Sequence, residues 1–234
     1  MIDRYDAHLF DLDGVITPTV VLHRRAWRET FDELFNTLGL APYREEEYFS
    51  YLDGLPRFAG VATLLAARGI ELPDGEPGEV GLHSITGLGN LKNKRFGEVL
   101  ERDGIEAYPG SLVLMRQLAL AGKPLGIVSS SRNADQVLRA AGIHDRFAAI
   151  VDGERAAAEG LPGKPSPDTF VRGAELLGFS PAQVVVYEDA ESGVAAARAG
   201  NFGCIIGVDR GAGRGALERA GAHVVVADLE ELAA

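Results

Sequence analysis

Two aspartates one residue apart, Asp11 and Asp13, follow the apolar run His8-Leu9-Phe10 and precede Gly14. In extended chain, residues i and i+2 point to the same side, so strand geometry carried to Asp13 would turn both carboxylates into one small volume. Like charges placed there call for a nearby cation or a raised pKa. The pair therefore suits a site that binds a hard cation or moves a proton. The plainer reading is that both acids cap the next turn, with Gly14 allowing a sharp exit. Polar groups also punctuate the later apolar runs. Ser129-Ser130-Ser131-Arg132-Asn133 follows one, Glu188-Asp189 follows another, and Gly163-Lys164-Pro165 stands just ahead of a helix start. Taken singly, Lys164 reads as a solvated loop lysine, Ser129 as an end-of-strand hydroxyl and Glu188-Asp189 as a helix cap. Taken together, they could meet at one edge of a sheet.

The elements that must position these groups fall into two blocks. Residues 20–38 carry helical spacing of Leu22, Ala26, Trp27, Phe31, Leu34, Phe35 and Leu38, with charged residues largely opposite. Helices are also expected over 45–53, 58–68 and 92–102. The Gly- and Pro-rich stretch 72–89 reads mostly as loop. Strands and helices alternate after Tyr108-Pro109-Gly110. Strands are expected near 125–129, 148–151, 184–187, 203–207 and 223–226, with helices between them. Ser166 is the expected N-cap, and Pro167 the first position, of the helix that follows Lys164. Continuous apolar strands alternating with helices imply a mostly parallel, doubly wound α/β sheet covered on both faces. The first strand precedes the helical block and the others follow it. An α/β core of residues 1–18 and 106–234 is thus expected, with an all-helical insertion over 19–105. Ligands of such sheets bind beyond the C-terminal strand ends, where the chemistry-bearing residues stand.

The formal net charge of −11 lacks the broad positive field that nucleic acid or an anionic membrane would need. A phosphate ligand would have to be met by few, local cations. Arg116 interrupts even the apolar stretch 112–120, so no membrane span is expected. The N-terminus, with Asp3, Arg4 and Asp6, does not read as a secretory signal. A single cysteine, Cys204 in an apolar run, excludes an intrachain disulfide and suits a reducing, cytoplasmic setting. Cys204 reads as a core residue.

Asp11-Leu12-Asp13-Gly14-Val15, Val128-Ser129, Lys164-Pro165 and Glu188-Asp189 resemble, in order and separation, the four motifs of the haloacid dehalogenase-like superfamily of phosphoryl-transfer enzymes. The resemblance spans the α/β block and implies a Rossmann-like sheet whose strand order gathers these ends. It implies Asp11 as a nucleophile forming an aspartyl-phosphate, Asp13 as general acid and base, Ser129 on a phosphoryl oxygen and Lys164 screening Asp11. It also implies Mg²⁺, held by Asp11, the Asp13 main-chain carbonyl, Asp189 and Glu188 directly or through water. Positioning and charge neutralisation are what phosphoryl transfer mainly requires.

The insertion directly after the first motif is similar to the helical cap of the β-phosphoglucomutase family. His23 and Trp27 fall on its cap residues near the active site, although Trp27 also reads as cap core. Asp53-Gly54-Leu55-Pro56-Arg57 resembles its specificity loop, with Gly54 and Arg57 as substrate contacts and Arg57 on the non-transferring phosphate. Lys92 matches its cap lysine. Ser130, Ser131, Arg132 and Asn133 match core residues beside the same distal phosphate. Three positions depart from that pattern. Asp53 replaces a basic residue, Arg132 a lysine and Pro18 an acid near the hinge. The resemblance implies interconversion of β-D-glucose 1-phosphate and glucose 6-phosphate. β-Glucose 1,6-bisphosphate would be both activator and intermediate, and a bisphosphate needs two anion sites. The enzyme is expected as a monomer acting on a small phosphorylated sugar. Alternatives are a Mg²⁺-dependent phosphatase for a sugar phosphate or other small phosphoester, and a non-catalytic phosphosugar-binding regulator.

Overall fold

The computed structural model describes residues 1–52, 55 and 57–233. The chain forms two compact units, Met1–Thr19 with Ile105–Ala234, and Val20–Gly104.

The first unit is built on six strands: β1 (Ala7–Phe10), β2 (Leu125–Val128), β3 (Ala149–Val151), β4 (Val184–Glu188), β5 (Cys204–Val208) and β6 (Val224–Val226). Their spatial order is β3-β2-β1-β4-β5-β6, and every adjacent pair is parallel. The order reverses between β1 and β4, because β2 and β3 build outward on one side of β1 and the later strands on the other. Such a switch point opens a crevice at the strand C-termini. The register places the chemistry there. Phe10 pairs with both Ile127 and Tyr187, so the next residue, Asp11, stands level with Val128 and Glu188, one step before Ser129.

Alternation along the strands serves two faces. Leu9, Val184, Val186, Ile205 and Val225 join one apolar cluster with Phe170 and Ala174 of α8 (Asp168–Leu177), Val194 and Ala197 of α9 (Glu191–Ala199) and Leu217 of α10 (Arg214–Ala220). The intervening residues, His8, Phe10, Val185, Tyr187, Cys204 and Ile206, are buried as well. Burial on both faces explains why these strands read as continuous apolar runs. His8 is the polar exception: its Nδ1 pairs with the Tyr187 hydroxyl at 2.9 Å.

The second unit holds α1 (Val20–Thr37), α2 (Glu45–Tyr51), α3 (Arg57–Ala67) and α4 (Ile85–Asp103), and no strand among its described residues. Trp27, Phe31, Phe35, Leu64, Leu65 and Leu88 form its core. Arg68 fastens the α1–α2 connection. It donates to both Glu47 oxygens at 2.5 and 2.7 Å and to the Ala41 and Pro42 carbonyls, and its guanidinium lies 4.4 Å from the Phe35 ring centre. No helix among the described residues is long and apolar enough to cross a membrane.

Three local expectations need correction. Helix α4 begins at Ile85 rather than near residue 92. Ser84 caps it by accepting from the Gly87 amide at 2.9 Å, and Gly87 and Gly89, poor helix formers, hide the apolar spacing from a sequence reading. A short helix α7 (Gly153–Glu159) follows β3 where none was expected, capped by Asp152 on the Arg155 amide. Ser166 does not cap α8. Pro167 is the N-cap, and the Ser166 hydroxyl bonds the Asp168 carboxylate instead.

Candidate active site

The α/β unit brings together Asp11, Asp13, Ser129, Lys164, Glu188 and Asp189. Lys164, with a side chain only 6 % exposed, is the hub. Its ammonium donates to Asp11 Oδ1 at 2.5 Å, Glu188 Oε1 at 2.6 Å and the Val128 carbonyl at 3.1 Å. These three acceptors match the three donors of an ammonium. Glu188 is equally occupied, because its Oε2 accepts from the Ala190 amide at 2.8 Å. Gly193 makes room for it: a Cβ there would collide with the Glu188 carboxylate. The arrangement makes Glu188 an orienter of Lys164, whatever else it touches.

Asp13 is held differently. The ladder ends at Phe10, although the Asp11 amide still donates to the Tyr187 carbonyl at 2.9 Å. Beyond it the chain folds into a tight flap, with the Gly14 amide on the Thr17 carbonyl at 2.8 Å. The Asp13 carboxylate accepts from the Thr19 hydroxyl on one oxygen and from Ser129 Oγ at 3.2 Å on the other. Thr19 is the residue that the sequence reading missed. Its one available signal was a hydroxyl six positions after Asp13, next to the insertion. Gly14 adopts φ +85°, and a Cβ there would strike the Asp189 carboxylate, so glycine serves both the turn and the close approach.

The electrostatics follow from burial. Burial pushes the Asp11 carboxyl well above its usual range. Lys164 opposes this, while Glu188, Asp13 and Asp189 add to it. Burial and Glu188 together push Asp189 up to about 7, again against Lys164. For Lys164 itself, burial is outweighed by Asp11 and Glu188, which raise its pKa and keep it charged. Four carboxylates thus share one lysine.

This donor set fits a hard, oxygen-seeking divalent cation such as Mg²⁺, which would relieve the surplus negative charge. Among the described residues, no group of three or more His, Cys, Asp or Glu side chains is arranged to hold a metal by itself. Mg²⁺ does not need one, since it commonly keeps waters and takes substrate phosphate with one or two carboxylates.

Ser131 continues from Ser129: its amide donates to Ser129 Oγ at 3.0 Å, and its own Oγ accepts from the Asn133 amide at 3.1 Å. Ser130 and Arg132 are exposed, and Asn133 caps α6 (Ala134–Ala140) by position.

The helical unit gathers a second set. Lys92 on α4 is buried, with its ammonium 2.6 Å from His23 Nδ1 and over the rings of Trp27 and Phe96 at 5.2 and 5.3 Å. Burial, then Lys92 and Arg57, push the His23 imidazole well below its ordinary pKa, so it is neutral and accepts from the lysine. Arg57, at the start of α3, donates to Asn93 Oδ1 at 2.9 Å. Trp27 is 6 % exposed and stacks on Phe31 as part of the unit's core. Gly54 and Asp53 lie outside the described residues.

Known proteins share this framework. The model of the haloacid dehalogenase-like hydrolase family matches residues 5–201. A β-phosphoglucomutase of Mycobacterium bovis is 44 % identical over 98 % of this chain and 92 % of its own length. A β-phosphoglucomutase of Bacillus subtilis is 34 % identical, covering 88 % of this chain and 84 % of the relative. Among solved structures, CbbY of Rhodobacter sphaeroides in complex with xylulose-(1,5)bisphosphate aligns with a TM-score of 0.74 at 27 % identity, covering 97 % of this chain and 96 % of that one. The four motifs, the parallel sheet that gathers them and these similarities agree: the chain belongs to the haloacid dehalogenase-like hydrolase family.

Proposed function

We propose that this protein is a β-phosphoglucomutase, interconverting β-D-glucose 1-phosphate and glucose 6-phosphate through an aspartyl-phosphate and β-glucose 1,6-bisphosphate. The observation that carries the reading is near-full-length similarity to a β-phosphoglucomutase at 44 % identity, in a chain that keeps the buried Asp11–Lys164–Glu188 cluster intact.

Asp11 is the nucleophile. Lys164, 2.5 Å from its Oδ1, opposes the burial that raises its pKa, and its position at the end of β1 fixes its direction. Asp13 moves the proton, protonating the leaving sugar oxygen and deprotonating the hydroxyl that attacks the aspartyl-phosphate. Thr19 and Ser129 hold its two oxygens. Ser129 would turn its single hydroxyl hydrogen from Asp13 to a phosphoryl oxygen when substrate is bound. Asp11, Asp189 and the Asp13 main-chain carbonyl would hold Mg²⁺, with Glu188 close by. When bound, the ion would neutralise charge on the transferring group. The positive groups of the helical unit, Arg57 and Lys92 beside neutral His23, serve the phosphate that is not being transferred. Ser130, Ser131, Arg132 and Asn133 are the α/β unit's own candidates for binding a phosphate beyond the reacting one. Two anion-binding sets are what a bisphosphate intermediate demands and a monophosphate hydrolase does not. The α/β unit is thus the phosphoryl-transfer core and the helical unit the specificity domain, of a monomeric cytoplasmic enzyme.

The test supplies β-glucose 1-phosphate, Mg²⁺ and a trace of glucose 1,6-bisphosphate, and measures glucose 6-phosphate and free phosphate together. Isomerisation should greatly outrun phosphate release. Phosphate release in excess across several sugar phosphates would replace the mutase with a phosphatase of the same family.

A further inference from the structure

Arg210, just beyond β5, takes no part in the chemistry above, yet its whole guanidinium is engaged. Nε donates to the Gly14 carbonyl at 3.0 Å, Nη1 to the Ala227 carbonyl at 3.1 Å and Nη2 to Asp228 Oδ2 at 3.1 Å. Its Cζ lies 4.0 Å from the centre of the Tyr108 ring. Asp209 fixes the turn that presents it, accepting from the Gly211 and Gly213 amides at 3.0 Å each. In the order β1-β4-β5, the loop after β1 lies two strands away from Arg210, roughly 10 Å at ordinary strand spacing. The arginine therefore reaches past the end of β4, where Glu188 and Asp189 stand. A long side chain with a rigid fork of donors suits that span.

What it grips is the backbone immediately after the Asp-Leu-Asp motif. Three consecutive carbonyls of that flap are anchored from elsewhere in the α/β unit: Gly14 by Arg210, Val15 by the Ser111 hydroxyl at 2.7 Å and Ile16 by the Tyr108 amide at 2.9 Å. Gly14 is the link with the most conformational freedom, since glycine takes either sign of φ with ease. It is also the residue whose Cα lies against the Asp189 carboxylate. Its carbonyl anchor is the one that comes from a charged side chain across the sheet. Tyr108 contributes twice, through its amide on Ile16 and its ring under Arg210.

We propose that Arg210 is a positioning residue of the phosphoryl-transfer site: by holding Gly14 it fixes the backbone that carries Asp13, and so the alignment of the acid/base carboxylate with the reacting oxygens. The inference rests on the proposed role of Asp13 and adds a residue on the opposite half of the sheet.

The test compares Arg210→Ala, Arg210→Lys and Arg172→Ala. Arg172 makes a partly exposed ion pair with Glu159 in the same unit. Arg210→Ala is expected to lower kcat by about tenfold to a hundredfold with KM within about threefold, because misalignment is felt in the chemical step rather than in binding. Arg210→Lys keeps the charge and one donor and should regain part of kcat. Arg172→Ala should lower the thermal midpoint with kcat within about twofold. A purely structural Arg210 would behave like Arg172, losing stability with kcat per folded molecule intact, and that result overturns the proposal. If Arg210→Ala does not fold, Arg210→Lys decides: a kcat loss with unchanged KM supports the positioning role, and wild-type kcat overturns it. The same variants are assayed on hydrolysis of p-nitrophenyl phosphate. A wild-type enzyme that hydrolyses but does not isomerise would refute the mutase reading alone, and a hydrolytic kcat loss in Arg210→Ala would still support Arg210.

Discussion

Lys164 in the α/β unit is pressed against two carboxylates, whereas Lys92 in the helical unit meets an imidazole and lies over two aromatic rings. Both side chains are buried, and burial alone would push both toward neutrality. In the first case Asp11 and Glu188 win, and the lysine is held charged. In the second the visible consequence is on the partner: Lys92 and Arg57 add to burial in keeping His23 neutral. One cluster has more negative charge than its single lysine can balance; the other concentrates positive groups. The two lysines thus mark different tasks. Under the proposed function, the crowded carboxylates of the α/β unit would attack phosphorus and welcome a cation. The cations gathered in the helical unit would, under the same proposal, recognise an anion that is not reacting.

The contrast can be broken at several points. Asp11→Asn removes the nucleophile and should reduce turnover by about 10⁴-fold or more, read as glucose 6-phosphate formation, with the circular dichroism spectrum unchanged. Retention of even a hundredth of the rate would move the nucleophile elsewhere. Lys164→Met leaves Asp11 and Glu188 buried without their counter-charge. The variant should lose about 3–5 kcal/mol of stability near neutral pH in urea unfolding. The deficit should shrink as pH is lowered, because protonation relieves the buried Asp11 carboxyl, whose pKa burial already raises. A deficit that grows in acid would contradict the charge assignment.

Arg57→Ala tests the other half of the comparison. Mutase turnover should fall about a hundredfold, while hydrolysis of p-nitrophenyl phosphate, which has no second phosphate, stays within about threefold. Equal loss in both reactions would deny the helical unit its recognition role. The smallest effect concerns His8, buried in β1 against the Tyr187 hydroxyl. Burial, then Lys123, lowers its pKa to about 4, below the ordinary 6.5. Between those values the unfolded chain binds a proton that the folded chain does not, so stability falls as pH drops from about 6.5 to about 4. His8→Gln should make that acid limb shallower by up to about 1.4 kcal/mol per pH unit, the value for one proton. An unchanged slope in pH-dependent urea titrations would show that His8 does not supply it.

The chemical identity of the site was legible in the chain. Asp11, Asp13 and the Glu188-Asp189 pair stand where apolar runs end and Lys164 stands just ahead of a helix; each alone reads as a cap or a loop residue, and only the set in order points to one site. Continuous apolar strands separated by helices also dictated a parallel sheet, because a strand buried on both faces cannot alternate. Local boundaries were less legible where glycine and short caps interrupt the pattern, as at Ser84–Gly89 and Asp152–Gly160. Their helices are set by capping bonds and by packing rather than by period.

What the sequence determined by itself is therefore the set of candidate groups and the class of sheet that carries them. The tertiary structure decided which of those groups touch. The order β2-β1-β4 put Lys164 between Asp11 and Glu188, and the fold gave the two aspartates different partners. Thr19 and Ser129 captured Asp13, and Arg210 reached Gly14 from 196 positions away. The physical reason is common to all three. Hydrogen bonds and ion pairs act over a few ångströms, and which residues come that close is fixed by strand order and register, quantities that no local stretch of chain contains.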